Sequence, residues 1–196
     1  MSKLRELEAR LERTELQLRL FQRVSRFLVK DISLPEVLQG IVSLVAEFMQ
    51  SDSCLIYLRD ESELVLCASS HPNPQAIGNV RLRLDEGLTG WVSRERRLLS
   101  ISREAYHDPR FKGFSDLLPE DTYEAFLSAP VIARNRVVGV INIQHRAPHQ
   151  HTGAEMETLT TLGEQIGCAL VLARMDSETV ASTRHAELAL ASPLRR

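Results

Sequence analysis

The chain has 196 residues, 43% of them apolar and 26% charged, with a formal net charge of −2. That length and balance describe one globular domain with a sizeable core and room for an extra element or two. A near-neutral charge argues against a broad electrostatic grip on nucleic acid or an anionic membrane. No stretch approaches the ~20 apolar residues of a membrane span, and residues 1–23 are charged too often for a secretory signal, so a cytoplasmic protein is expected. Three cysteines, Cys54, Cys67 and Cys168, show no CxxC spacing, which argues against a disulfide framework or structural zinc.

Residues 1–30 hold no Pro or Gly, and their apolar positions recur at alternating spacings of three and four. Leu4, Leu7, Leu11, Leu18, Phe21 and Leu28 fall on one heptad stripe, interrupted by Thr14 and Ser25. Leu16, Leu20, Val24 and Phe27 widen it toward the domain. A narrow apolar seam flanked by both charge signs predicts a coiled-coil helix that pairs with a second copy, the alternative being an amphipathic helix folded onto its own domain.

Residues 31–35 break that helix. Ser33 and Glu36 have capping-box spacing and Pro35 sits in the first turn of a second helix, whose stripe of Val37, Leu38, Ile41, Val42, Leu44, Val45, Phe48 and Met49 needs a sheet to cover. Two short apolar runs, 54–58 and 64–68, read as a hairpin, followed by a Pro-rich loop and a short strand at 81–84. A short helix from Gly87 holds Trp91, and a strand follows at 98–102. Residues 103–121 form a long irregular loop, the kind that is usually functional inside a compact domain. A second hairpin, 126–133 and 137–143, turns around Asn135. Thr152 is expected to cap a final helix reaching about Met175, with residues 176–196 left as a flexible polar tail. The order is that of an α+β domain, its antiparallel sheet carrying the terminal helices on one face and irregular loops on the other. Residues 1–30, 31–175 and 176–196 are then a dimerisation helix, the domain and the tail.

The loop-covered face is the natural place for a small-molecule cavity. Tyr57, Trp91, Tyr106, Phe111, Phe114 and Tyr123 are the aromatic candidates for its lining. Asn142 and Gln144 share strand parity with Val138 and Val140. Two amides on an apolar face either orient a ligand or mark a strand end emerging into solvent.

Other groups invite chemistry less. If Asp60 and Glu61 are the hairpin turn, Cys54 and Cys67 stand opposite each other, as a bridge or as two small buried hydrophobes. Cys168 reads as core. His145, His149 and His151 are close enough in sequence to hold a metal or a haem iron. With Pro148 beside them and no carboxylate before Glu155, a solvated loop is expected and no metal is assigned. Ser, His and Asp occur without a nucleophile elbow, and no Gly-rich phosphate loop is present, so no catalytic residue is named.

Taken together, Glu86-Gly87-Leu88-Thr89-Gly90-Trp91-Val92, Asp108-Pro109-Arg110-Phe111, Ala129-Pro130-Val131 and Val137-Val138-Gly139-Val140-Ile141 resemble the GAF domain family. The resemblance runs over residues 33–175 and includes the last helix with Glu155 and Gln165-Ile166-Gly167. It implies sensing of a small ligand or a redox signal, dimerisation, and coupling through terminal helices to an output domain, here expected on a separate protein. It leaves the ligand and any cofactor undefined. The Asn-Lys pair of cyclic-nucleotide-binding members is missing, since Ile143 follows Asn142, and the loops lack the Cys that bilin-binding members use. Free methionine sulfoxide reductases, the enzymatic branch, carry Gly-Val-Cys-Gly where this chain has Gly87-Leu88-Thr89-Gly90. A threonine cannot exchange sulfur, so the chain reads as a sensor rather than an enzyme.

Overall fold

The computed structural model describes residues 2–71, 73–112 and 123–191, residue 2 and those from 174 onward as backbone alone. Helix α1 (Ser2–Leu28) leads into α2 (Leu34–Met49), and a hairpin of β1 (Ser53–Asp60) and β2 (Glu63–Ser69) follows. Next come β3 (Arg81–Arg83), α3 (Gly87–Glu95), β4 (Leu99–Ile101) and a 3₁₀ turn at Ala105–His107. Strands β5 (Ala125–Ala133) and β6 (Arg136–His145) and helix α4 (Gly153–Ala191) complete the chain. The strands form one six-stranded antiparallel sheet in the order β3-β2-β1-β6-β5-β4. This is the α+β architecture expected from the element order.

Each terminal helix starts on a local signal. The Glu36 carboxylate accepts hydrogen bonds from Ser33 N at 2.9 Å and Ser33 Oγ at 2.6 Å, closing the first turn of α2. Glu155 does the same at the start of α4, accepting from Thr152 N at 2.6 Å and Thr152 Oγ1 at 2.7 Å. In return Glu155 N donates to Thr152 Oγ1 at 3.2 Å.

On the helix-covered face, Leu20 and Val24 of α1, Ile41 and Val45 of α2, and Leu159, Leu162 and Ile166 of α4 meet Ile56, Leu127, Ala129, Ile141 and Ile143 of the sheet. Helix α4 lies against the backbone of β5. A Cβ on Gly163 would sit 2.6 Å from Pro130 O, and one on Gly167 only 2.1 Å from Ile132 O. These two glycines, one helical turn apart, set the closeness of that contact. On the opposite face a second cluster gathers Leu55, Tyr57, Leu64, Leu66, Leu82, Val92 and Val140, with Trp91 half-buried against it.

The expected end of the last helix needs correction. Helix α4 runs past Met175 to Ala191. Ser and Thr in residues 176–192 suggested fraying, but Ala, Glu and Leu are interspersed and no Gly or Pro occurs before Pro193.

The first hairpin is also out of the expected register. Asp60 pairs with Glu63, so the turn is Glu61-Ser62, with Glu61 at φ 50°. Ile56 pairs with Ala68 and Tyr57 with Leu66, leaving Cys67 as the extra residue of a β-bulge. Cys54 instead lies beside Ser70, exchanging Ser70 N to Cys54 O at 2.8 Å and Cys54 N to Ser70 Oγ at 2.9 Å. The two cysteines are therefore not partners. Cys168 is exposed rather than core, on the side of α4 away from Leu162, Ile166 and Leu170. The second hairpin turns at Arg134-Asn135, both in the left-handed region at φ 46° and 61°. Among the described residues no helix is long and apolar enough to cross a membrane.

Candidate functional site

Helix α3 springs from Gly87, whose φ of +69° lets the chain turn from β3 onto the loop-covered face. Its first turn presents Thr89 to the sheet. Asn142 of β6, only 1% exposed, donates from Nδ2 to Thr89 Oγ1 at 2.8 Å and accepts at Oδ1 from Ser128 Oγ at 2.6 Å. The amide thus ties β6 to β5 and to α3. Of the two possibilities for Asn142, orienting a ligand or meeting solvent, the structure shows neither: its partners are protein hydroxyls. Ser128, the one polar residue in the β5 run, was the available signal for this partner.

The Asp-Pro-Arg-Phe loop is closed by its own charges. Asp108 accepts from Arg110 N at 2.9 Å, Arg110 Nε at 2.8 Å and Arg110 Nη2 at 2.6 Å. The Arg110 side chain holds the Asp108 carboxyl below the usual carboxylate range. The same guanidinium lies over the Trp91 ring, 4.8 Å from its centroid. Lys112 pairs with Glu86, which also accepts from Arg83 N at 3.1 Å, and both hold the Glu86 carboxyl low. Phe111 is half-buried against Leu88, Ala105 and Phe126. Tyr106 donates to Glu124 Oε1 at 3.0 Å, and Glu124 Oε2 accepts from Glu104 N at 2.9 Å, so one carboxylate pins the 3₁₀ turn. That bond, made by the neutral phenol, pushes the Tyr106 pKa up.

The sequence candidates therefore divide. Trp91 and Phe111 come together through Arg110 and Leu99, with Tyr106 on the neighbouring turn. Tyr57 is buried in the second cluster, where desolvation pushes its phenol up, and serves as core. Gln144 and Tyr123 are half-buried near the ends of β6 and β5. Phe114 lies outside the described residues. A cleft of about 520 Å³ opens elsewhere, at the β3 end of the sheet, lined by Ser62, Glu63, Arg83, Leu84, Asp85, Ser93 and Arg94. None of the seven sequence candidates among the described residues borders it.

The histidines are the largest departure from expectation. His145 and His151 are 6% and 5% exposed, and His149 is half-buried, so they do not form a solvated loop. The His145 and His149 rings stack at 4.1 Å and 13°, and His151 stands 5.5 Å from the first and 4.9 Å from the second. One ring donor from each lies within 4.8 Å of the others. Ser100 Oγ is 3.0 Å from His151 Nδ1, and Glu155 Oε1 is 2.8 Å from His149 Nε2. Burial, with His149 adding to it, lowers the pKa of His145 and brings that of His151 down to about 4, so both are neutral imidazoles at physiological pH. Burial works against ionisation of Glu155. Hydrogen bonds from Thr152 and His149 outweigh it and keep the carboxylate ionised.

A sequence model of the GAF domain matches residues 33–170, and the chain belongs to that family. The chain is similar to the GAF domain of a phosphoenolpyruvate-protein phosphotransferase from Acinetobacter, with 31% identity and a TM-score of 0.73, over 81% of this chain and 95% of that one. The corresponding domain from Coxiella burnetii (ptsP) is 24% identical, with a TM-score of 0.76 over 83% and 96%. Free methionine-R-sulfoxide reductase from Neisseria meningitidis, solved with its substrate, shares the fold at 18% identity and a TM-score of 0.66, over 80% and 89%.

Proposed function

We propose that this chain is a non-catalytic, cytoplasmic regulatory sensor that works as a parallel homodimer. It takes up a small organic ligand on the loop-covered face of the sheet and passes its state through α1 and α4 to an effector. The observation that carries the reading is the division of α1 into two faces. Leu20 and Val24 are buried in the domain and Gln17 Nε2 donates to Thr158 Oγ1 of α4 at 2.9 Å. Leu4, Leu7, Leu11 and Leu18 stand exposed on the heptad stripe. A helix docked along one side and apolar along the other is suited to joining two sensor domains. The Acinetobacter relative points to a phosphotransferase as the kind of effector.

A non-catalytic role is supported at Thr89. It occupies the position where the reductase branch carries cysteine, and its hydroxyl is buried and bonded to Asn142. Transmission requires the ligand to favour one helix arrangement over another, since equal affinity for both shifts nothing.

A second reading, a structural dimerisation module with a vestigial pocket, draws on Asn142 and Tyr57 being consumed by internal contacts. Native mass spectrometry of gently purified chain separates the two. A small molecule retained at one per protomer supports sensing, and bare protein mass across independent preparations rejects it in favour of the structural role.

A further inference from the structure

We propose that His145, His149 and His151 form a binding site for one divalent late transition-metal ion of the Zn²⁺, Ni²⁺ or Cu²⁺ class, with Glu155 as its charge-balancing carboxylate. Two of the three imidazoles are more than nine-tenths buried, and the Nε2 atoms of both His145 and His151 are buried without a hydrogen-bond partner. Leaving a buried polar group unpaired is costly, so two within one cluster are a feature to be accounted for. A cation held on their lone pairs accounts for both.

The surroundings orient donors in the way metal sites require. Ser100 Oγ engages Nδ1 of His151, which leaves Nε2 to face an ion, as metal-ligating histidines commonly have the other ring nitrogen held by a neighbouring polar group. Glu155 is fixed from the other side by Thr152 and reaches His149. Its negative charge offsets the unfavourable positive end of α4 that a cation would meet there. An imidazole set without thiolate selects the borderline metals over Mg²⁺ or Ca²⁺.

The spacing needs only local adjustment. Tetrahedral coordination at about 2.0–2.1 Å sets nitrogens roughly 3.3 Å apart. The donors now lie within 4.8 Å of one another. His149, half-buried on the 146–152 connection, is the member free to close that gap by changing rotamer. The three ligands would then tie the end of β6 to the start of α4. The proposal does not depend on the sensor reading, because this cluster lies on the helix-covered side of the sheet, with His145 on the same parity as Ile141 and Ile143.

The test uses the full, untagged, metal-stripped chain and Zn²⁺, Ni²⁺ and Co²⁺ as salts. Calorimetry with Zn²⁺ should give one site per chain in the micromolar range or tighter. His149→Ala, the variant that opens no buried cavity, should weaken it by about 100-fold or more, since even an orienting partner is worth tenfold to a hundredfold. Cys168→Ser should leave it unchanged. A wild-type readout stands beside the variant: bound Co²⁺ should show ligand-field bands of nitrogen and oxygen coordination without a thiolate charge-transfer band. Absence of stoichiometric Zn²⁺ binding, full affinity in His149→Ala, or a thiolate band would each overturn the proposal.

Discussion

Replacing Leu11 and Leu18 together by Asp perturbs the exposed stripe of α1 without touching the domain. Leu4, Leu7, Leu11 and Leu18 are 64%, 54%, 61% and 56% exposed. Fully burying a leucine is worth about 1.5–3 kcal/mol, so covering the exposed half of each contributes roughly 1–1.5 kcal/mol. Eight such side chains in a symmetric pair give on the order of 8–12 kcal/mol gross. Lost translational and rotational freedom takes back about 4–15 kcal/mol. The two terms are of similar size, so the proposed dimer would dissociate within the range of ordinary protein concentrations. The double substitution removes half the apolar seam and faces four carboxylates across it. It should weaken association by several kcal/mol, at least a hundredfold.

The assay is light scattering of wild type and variant at about 20 µM, a concentration at which a micromolar dimer is largely formed. Wild type should give the dimer mass and the variant the monomer mass. The melting temperature of the domain should stay within a degree or two when both are compared as monomers, because surface changes of this kind seldom exceed about 0.5 kcal/mol. Truncating the helix is a poorer test than the double substitution. Deleting residues 1–30 would strip Leu20 and Val24 from the core as well as the seam. A wild-type chain that is monomeric at this concentration, or a variant that remains dimeric, refutes the reasoning.

Three further outcomes follow from the site geometry. Asn142→Ala leaves the Thr89 and Ser128 hydroxyls buried without their partner and should lower stability by about 2–4 kcal/mol in urea unfolding; a loss under roughly 0.5 kcal/mol would show the amide network to be idle. Arg110 depresses the folded pKa of Asp108, so this pair stabilises the fold fully above the ordinary carboxylate range and loses that contribution as pH falls through the lower folded value. The fluorescence of Trp91, the single tryptophan, should report that loss as Arg110 leaves its ring, and Asp108→Asn should show the released signal already at neutral pH. Iodoacetamide should label exposed Cys168 first and buried Cys54 last, and mild oxidation should produce no Cys54–Cys67 bridge. An intact mass two hydrogens lighter, mapped to that pair, would contradict the register.

What the sequence made legible was local. The capping box at Ser33, the cap at Thr152 and the turn at Asn135 each involve residues a few positions apart, and each stands in the structure where the pattern put it. The α1 stripe does so only in part: Leu4, Leu7, Leu11 and Leu18 are exposed, while Phe21 and Leu28 pack against the domain's own core. What stayed hidden depended on pairing across elements. Moving the first turn by one residue and adding one bulge was enough to separate Cys54 from Cys67, because strand register propagates every local error along its length. Asn142 looked like a ligand-facing amide because its partners lie 14 and 53 residues away. The histidines looked solvated because a polar segment with a proline gives no sign of where strand parity sends its first member. In the structure that parity decides the matter. Strand β6 turns Asn142 toward α3 and the loops, and three residues later turns His145 toward the start of α4. The two polar clusters of this domain are therefore joined by a few residues of one strand. A metal fixed on the helix side and a ligand bound on the loop side would act on the same piece of backbone, with β5 and β1 hydrogen-bonded along both its edges.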